Sequence, residues 1–124
     1  MPDEFPRPLS SREIEVTRWL IRNGDATHDD KSKYLEQLER ATVVRKCACG
    51  CASVDFAIDG RTSAVKELTM VGDFICAGGT HGIFAFSKGG LLAGIDIYTL
   101  SSDQPAAELP EPAGFISIET DNKT

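Results

Sequence analysis

At Arg40 the apolar period of this chain changes, and that change constrains the fold more than any other feature of the sequence. Before it, apolar residues recur at helical spacing; after it they alternate with polar ones. A chain with its helices first and its strands afterwards leaves little room for the crossovers of a parallel sheet. The pattern predicts an α+β fold of two N-terminal helices packed on a four- to five-stranded, mostly antiparallel sheet, with the helices on one face. The 124 residues suit a single domain. It divides into an N-terminal arm (1–8), a helical hairpin (9–40), the antiparallel sheet (41–100) and a Pro-rich C-terminal segment with an edge strand (101–124).

The first helix is expected over residues 11 to 23. Ser10-Ser11-Arg12-Glu13 is a capping box, in which Ser10 and Glu13 each satisfy the other's backbone N–H. Leu9 and Ile14 are spaced as a hydrophobic staple. Ile14, Thr17, Leu20 and Ile21 form an apolar stripe that Val16 and Trp19 widen. Asn23-Gly24 reads as a stop with a left-handed residue. A second helix starts at Thr27, where Asp29 and Asp30 suit the helix dipole. Tyr34, Leu35 and Leu38 form its buried side, and Glu36, Gln37, Glu39 and Arg40 are expected to face solvent.

Strands are expected at Thr42–Lys46 and Ser53–Asp59, with Val54, Phe56 and Ile58 inward and Asp55, Ala57 and Asp59 outward. Asp59-Gly60 is a hairpin-closing dipeptide. Val65–Val71 reads as a third strand, and Phe74–Ala77 as its extension or an irregular crossing. Gly82–Phe86 and Leu91–Tyr98 flank Ser87-Lys88-Gly89-Gly90, a second hairpin signal. Pro105, Pro110 and Pro112 interrupt regular structure beyond Thr99. Phe115–Ile118 adds a short edge strand, and Glu119–Thr124 is expected to fray.

Thirteen basic and nineteen acidic residues give a net charge of −6 and a pI near 4.8. Such a surface repels nucleic acid and anionic membranes, and no basic cluster exceeds Arg45-Lys46. No stretch approaches the ~18 consecutive apolar residues of a membrane span. The acidic, proline-containing start lacks the apolar core of a secretory signal. These features point to the cytoplasm; the usual role of such a charge is solubility, and a basic protein is the partner it would favour.

Cys47-Ala48-Cys49-Gly50-Cys51 concentrates three of the four cysteines between two expected strands. In a tight turn the three sulfurs could converge, and Cys76 or His81 would complete a tetrahedral zinc site. Paired C-x₂₋₄-C knuckles are the usual zinc pattern, and here only one knuckle-like group exists. Buried, chemically inert thiols are the plainer explanation. The C-x-C-G-C spacing, followed by a strand, also lacks the C-x-x-C and helix of a thioredoxin-like site. A thiol enzyme or redox sensor would need a base. His28 lies in a helix cap, and His81 lies in Gly78-Gly79-Thr80-His81-Gly82, which has neither a dinucleotide-loop nor a P-loop pattern. Asp73 would complete a Cys–His–Asp set, which adjacency in sequence does not establish. Asp55, Asp59 and Asp96 read as solvated strand carboxylates.

Arg7-Pro8-Leu9-Ser10-Ser11-Arg12-Glu13 with Trp19-Leu20, the block Cys47 to Asp55, and Gly94-Ile95-Asp96-Ile97-Tyr98 followed by Leu109-Pro110 together resemble a group of small uncharacterised bacterial proteins with a C-x-C-G-C turn. The resemblance implies a bacterial cytoplasmic origin and a recurring cysteine turn; it carries over no activity and no functional residue. In size, charge and layout the chain is similar in kind to immunity proteins, which neutralise a basic toxin domain. The function expected is therefore a non-catalytic protein-binding module, monomeric or homodimeric, without a cofactor. A zinc domain and a thiol-dependent protein are the alternatives.

Overall fold

The computed structural model describes residues 5–47, 51–76, 78–100 and 108–117. Helix α1 spans Ser11–Asn23 and helix α2 spans His28–Leu38. The capping box forms as its residues require. Ser10 Oγ accepts from the Glu13 N–H at 3.1 Å, and Glu13 Oε1 accepts from the Ser10 N–H at 2.8 Å. Thr27 Oγ1 caps α2 by accepting from the Asp30 N–H. On α1, Val16, Thr17, Leu20 and Ile21 are wholly buried, whereas Ile14 stands at the margin of the stripe.

Two helical expectations need correction. Gly24 ends α1 in an extended conformation, φ −79° and ψ −175°, not a left-handed one. A Cβ there would strike the Val71 carbonyl and lie 2.8 Å from Gly72 Cα, so close approach to the sheet demands this glycine. Gln37, expected in solvent, is buried. Its Nε2 donates to the Gly90 carbonyl at 3.1 Å and its Oε1 accepts from the Leu92 N–H at 2.7 Å, which pins α2 to the sheet.

The strands are β1 (Arg7–Pro8), β2 (Ala41–Lys46), β3 (Val54–Ile58), β4 (Thr69–Ile75), β5 (His81–Lys88), β6 (Leu91–Thr99) and β7 (Ile116–Ser117). They form one sheet in the order β1-β2-β3-β6-β5-β4-β7, with every neighbouring pair antiparallel. Five strands are of ordinary length. The count exceeds the expected four to five because two-residue strands close both edges, a common way of blunting an edge. Arg7–Pro8, read as part of an arm, is one of them. Its guanidinium holds both Glu13 carboxylate oxygens at 2.9 Å, tying that edge to α1.

Asp59-Gly60 does make the tight turn its residues favour, with φ 54° and 77° and a bridge from Ile58 to Arg61. It does not join neighbouring strands. The chain instead crosses the end of the β5–β6 hairpin, where a Cβ on Gly89 would meet Ser63 and Val65, and enters the far side of the sheet as β4. That crossing is why the third strand begins at Thr69, later than the expected Val65, and runs through Phe74 to Ile75. Gly89-Gly90 closes the β5–β6 hairpin with φ 58° and 84°. Ala77, Pro105, Ile118 and 119–124, each part of a sequence expectation, lie outside the described residues.

Both helices pack on the same sheet face. Their apolar sides meet Val43, Val54, Phe56, Ile58, Val71, Ile83, Ala85, Leu92, Ile95 and Ile97 in one buried cluster. Trp19 makes edge-to-face contacts with Phe74 (4.7 Å) and Phe115 (5.2 Å), which holds the C-terminal segment against α1. Ala57 is buried even though alternation turns it away from this cluster. None of the described helices is long and apolar enough to cross a membrane.

Candidate functional site

The cysteine turn lies at one end of the sheet, between β2 and β3. The Cys47 N–H donates to the Ser53 carbonyl at 3.1 Å and closes the turn. Cys49 lies outside the described residues. Cys51 is buried, and its Sγ donates to Ser53 Oγ at 3.3 Å. Ser53 Oγ accepts from the Ile97 N–H at 2.9 Å and donates to Asp96 Oδ1 at 2.6 Å. A chain of donors therefore links the turn to a carboxylate on β6.

Cys76, just past the end of β4, and His81, the first residue of β5, occupy the same end of the sheet, adjacent to one another. The Cys76 N–H donates to the His81 carbonyl at 2.9 Å, and His81 Nδ1 lies 2.9 Å from Thr80 Oγ1. Strands β6 and β5 separate Cys76 from Cys51 and Ser53. Burial pushes the Cys76 thiol above its ordinary pKa, which opposes thiolate formation. Among the described residues, no three His, Cys, Asp or Glu side chains are gathered to hold a metal ion.

The sheet face turned away from the helices carries a second, unexpected arrangement. Successive outward positions on β5 and β6 place Phe84, Phe86 and Tyr98 in an aromatic ladder. Phe84 lies 5.7 Å from Phe86 and 6.0 Å from Tyr98, centroid to centroid. Two glycines make room for it. The Tyr98 ring covers Gly82 and the Phe86 ring covers Gly94, so that a Cβ at either glycine would run into the ring above it. Phe86 is largely shielded, with Lys88 Nζ over it at 5.8 Å, while Phe84 and Tyr98 stay partly open to solvent.

Carboxylates flank the ladder. Cross-strand register puts Asp73 on β4 and Asp96 on β6 directly opposite Phe84, one on each side. The next row runs from Phe86 through Gly94 and Asp55 to Arg45, whose Nε lies 2.9 Å from Asp55. Asp55 is thus paired, but among the described residues Asp73 and Asp96 have only hydroxyl donors, Tyr98 at 3.5 Å and Ser53 at 2.6 Å. Neither makes an ion pair among the described residues. Burial pushes the Asp73 carboxyl above its ordinary range, partly offset by Tyr98. Burial also raises the Tyr98 phenol, reinforced by the Asp73 charge and, more weakly, by Asp96 and Cys76. A groove of about 290 Å³ runs beside this row, lined by Arg45, Lys46, Cys47, Ser53, Asp55 and Asp96.

Chemically, this face offers π surface beside two carboxylates, Asp73 and Asp96, that make no ion pair among the described residues, a combination suited to cations. Asp55 and Asp96 point outward, as alternation alone indicated. The aromatic ladder and the place of Asp73 beside it escaped the sequence reading. Phe84, Phe86 and Tyr98 do alternate along their strands, but their convergence with Asp73 and Asp96 depends on register. No protein-family model, curated protein or solved structure matches this chain.

Proposed function

We propose that this protein is a non-catalytic binding module that holds a basic protein partner on the open face of its sheet. One observation carries the reading: Asp73 and Asp96 flank a partly exposed aromatic ladder and have no counter-ion of their own among the described residues. A partly desolvated carboxylate without a cation costs stability in the free protein, and a partner's cation recovers that cost on docking. The net charge of −6 supports the same partner by steering basic surfaces toward the face. A basic toxin domain held by an immunity-type protein is a partner of this chemistry. Cys51 and Cys76 are buried, and burial raises the Cys76 thiol pKa, which favours this reading over a thiol enzyme built on either of them.

The test is a titration of small basic and small acidic proteins, followed by amide exchange on any complex. The reading expects basic members alone to bind, binding to weaken with added salt, and protection to appear on β5 and β6. Failure of every basic member, or protection confined to the helical face, would overturn it.

A further inference from the structure

The row Asp73–Phe84–Asp96 carries more than a general preference for positive charge. In an antiparallel sheet, directly opposed side chains have Cβ atoms about 5 Å apart. Both aspartates therefore stand immediately beside the Phe84 ring, on opposite sides of it. Tyr98 adds a second partly open ring 6.0 Å away and ties down one Asp73 oxygen. Ser53 does the same for one Asp96 oxygen, leaving the other oxygen of each carboxylate to accept. The face already uses a cation of its own one step along the ladder, where Lys88 sits over Phe86. Phe84 and Tyr98 are the rings it leaves open.

We propose that this row is a subsite for an arginine side chain of the partner, with the guanidinium stacked on Phe84 and its edge donors reaching Asp73 or Asp96. This deepens the preceding proposal and rests on it. A guanidinium is planar, weakly hydrated and carries donors around its rim, so it covers a ring and meets a lateral carboxylate at once. A lysine ammonium is a compact, strongly hydrated point charge; over Phe84 it would lose water without a comparable set of donors. The arrangement therefore discriminates between two cations that net charge alone treats alike.

Titration of the whole chain with hexa-arginine and hexa-lysine peptides at low salt tests the subsite. Wild type is expected to bind hexa-arginine roughly tenfold more tightly, on the order of what one stacked and paired guanidinium contributes. D73N and D96N keep an oxygen for Tyr98 and Ser53, and each is expected to weaken hexa-arginine binding severalfold. F84L keeps apolar bulk and is expected to erase the preference for arginine while leaving residual charge-driven binding. Equal binding of the two peptides, unchanged in D73N and D96N, would overturn the subsite and leave the basic-partner reading standing. No binding of either peptide, together with no binding of the basic proteins, would overturn both.

Discussion

Gly24 and Gly72 stand against one another where the end of α1 meets β4. A Cβ on Gly72 would strike the Leu20 carbonyl and lie 3.5 Å from Gly24 Cα, while one on Gly24 would lie 2.8 Å from Gly72 Cα. Helix and strand backbones touch here without intervening side chains. Wholly buried Leu20 and Ile21 sit beside the contact and fix the depth of the helix on the sheet. The obstructing atoms are backbone, so an added methyl group has no side chain to push aside. Gly72→Ala is expected to destabilise the protein by about 2–3 kcal/mol, read as a lowered midpoint in urea. Unchanged stability would mean that the helix can lift from β4 without loss.

Glu13 is expected to be a larger contributor than its place in a capping box suggests. Burial raises its carboxyl pKa, but the Arg7 hydrogen bonds, the Ser10 N–H and the Arg7 charge outweigh that and hold it below its ordinary range. Its charged form is therefore favoured by folding. The stabilisation is present above the unfolded-state pKa and is lost as pH falls through the lower folded-state value. Glu13→Gln should cost about 2 kcal/mol at pH 7. In chemical denaturation across pH, the gap between wild type and variant should narrow toward acid, and a gap independent of pH would contradict this account.

Asp73 has the opposite sign. Its folded-state pKa lies above the ordinary aspartate value of 3.8 because burial disfavours the charge. Between those two values the folded state binds more protons than the unfolded state, so stability falls as pH rises through the window. Asp73→Asn is expected to stabilise the protein at pH 7 by up to about 1 kcal/mol, a figure reduced for solvent screening. The same change weakens cation binding, and in wild type that binding should decline as pH falls through the raised pKa. Asp96 and the Tyr98 phenol are the neighbouring titratable groups on this face, with Cys76 close by. A variant that gains no stability at neutral pH would show that Asp73 is not strained by desolvation.

Tyr34 donates to Ser87 Oγ at 3.0 Å, and both residues are buried at the contact between α2 and β5. Tyr34→Phe leaves the serine hydroxyl without this donor and should cost about 1–2 kcal/mol. Adding Ser87→Ala should cost less than the sum of the two single changes. Additive losses in a double-mutant cycle would show that the bond contributes nothing of its own.

Much of the local structure was legible because it depends on neighbours in sequence. The Ser10–Glu13 box, the Thr27 cap and the Gly89-Gly90 turn need only a few adjacent residues and formed as read. Errors arose where a distant element intervened. Gln37 looked solvated on α2 until the β5–β6 hairpin supplied Gly90 and Leu92 as its partners. Gly24 looked like a left-handed stop until β4 arrived beside it. The cysteine turn stood out in sequence, yet β6 and β5 lie between Cys51 and the neighbouring pair Cys76 and His81.

From the sequence alone follow the α+β class, the order of both helices before the five long strands, the turn positions and the acidic charge, because periodicity, turn chemistry and composition are local or additive properties. The candidate site was decided by tertiary structure. The two-residue turn at Gly89-Gly90 would by itself pair Phe84 with Ile95; an irregularity between Phe86 and Ser87 shifts the register so that Phe84 faces Asp96. A second shift between Met70 and Gly72 brings Asp73 opposite Phe84 from the other side. A one-residue shift exchanges the two faces of a strand. The packing of α1 and α2 against Val71, Ile83, Ser87, Leu92 and Ile95 occupies one face on both sides of those shifts. The outward row of aspartate, phenylalanine and aspartate is the consequence, set by a core formed from residues far apart in the chain.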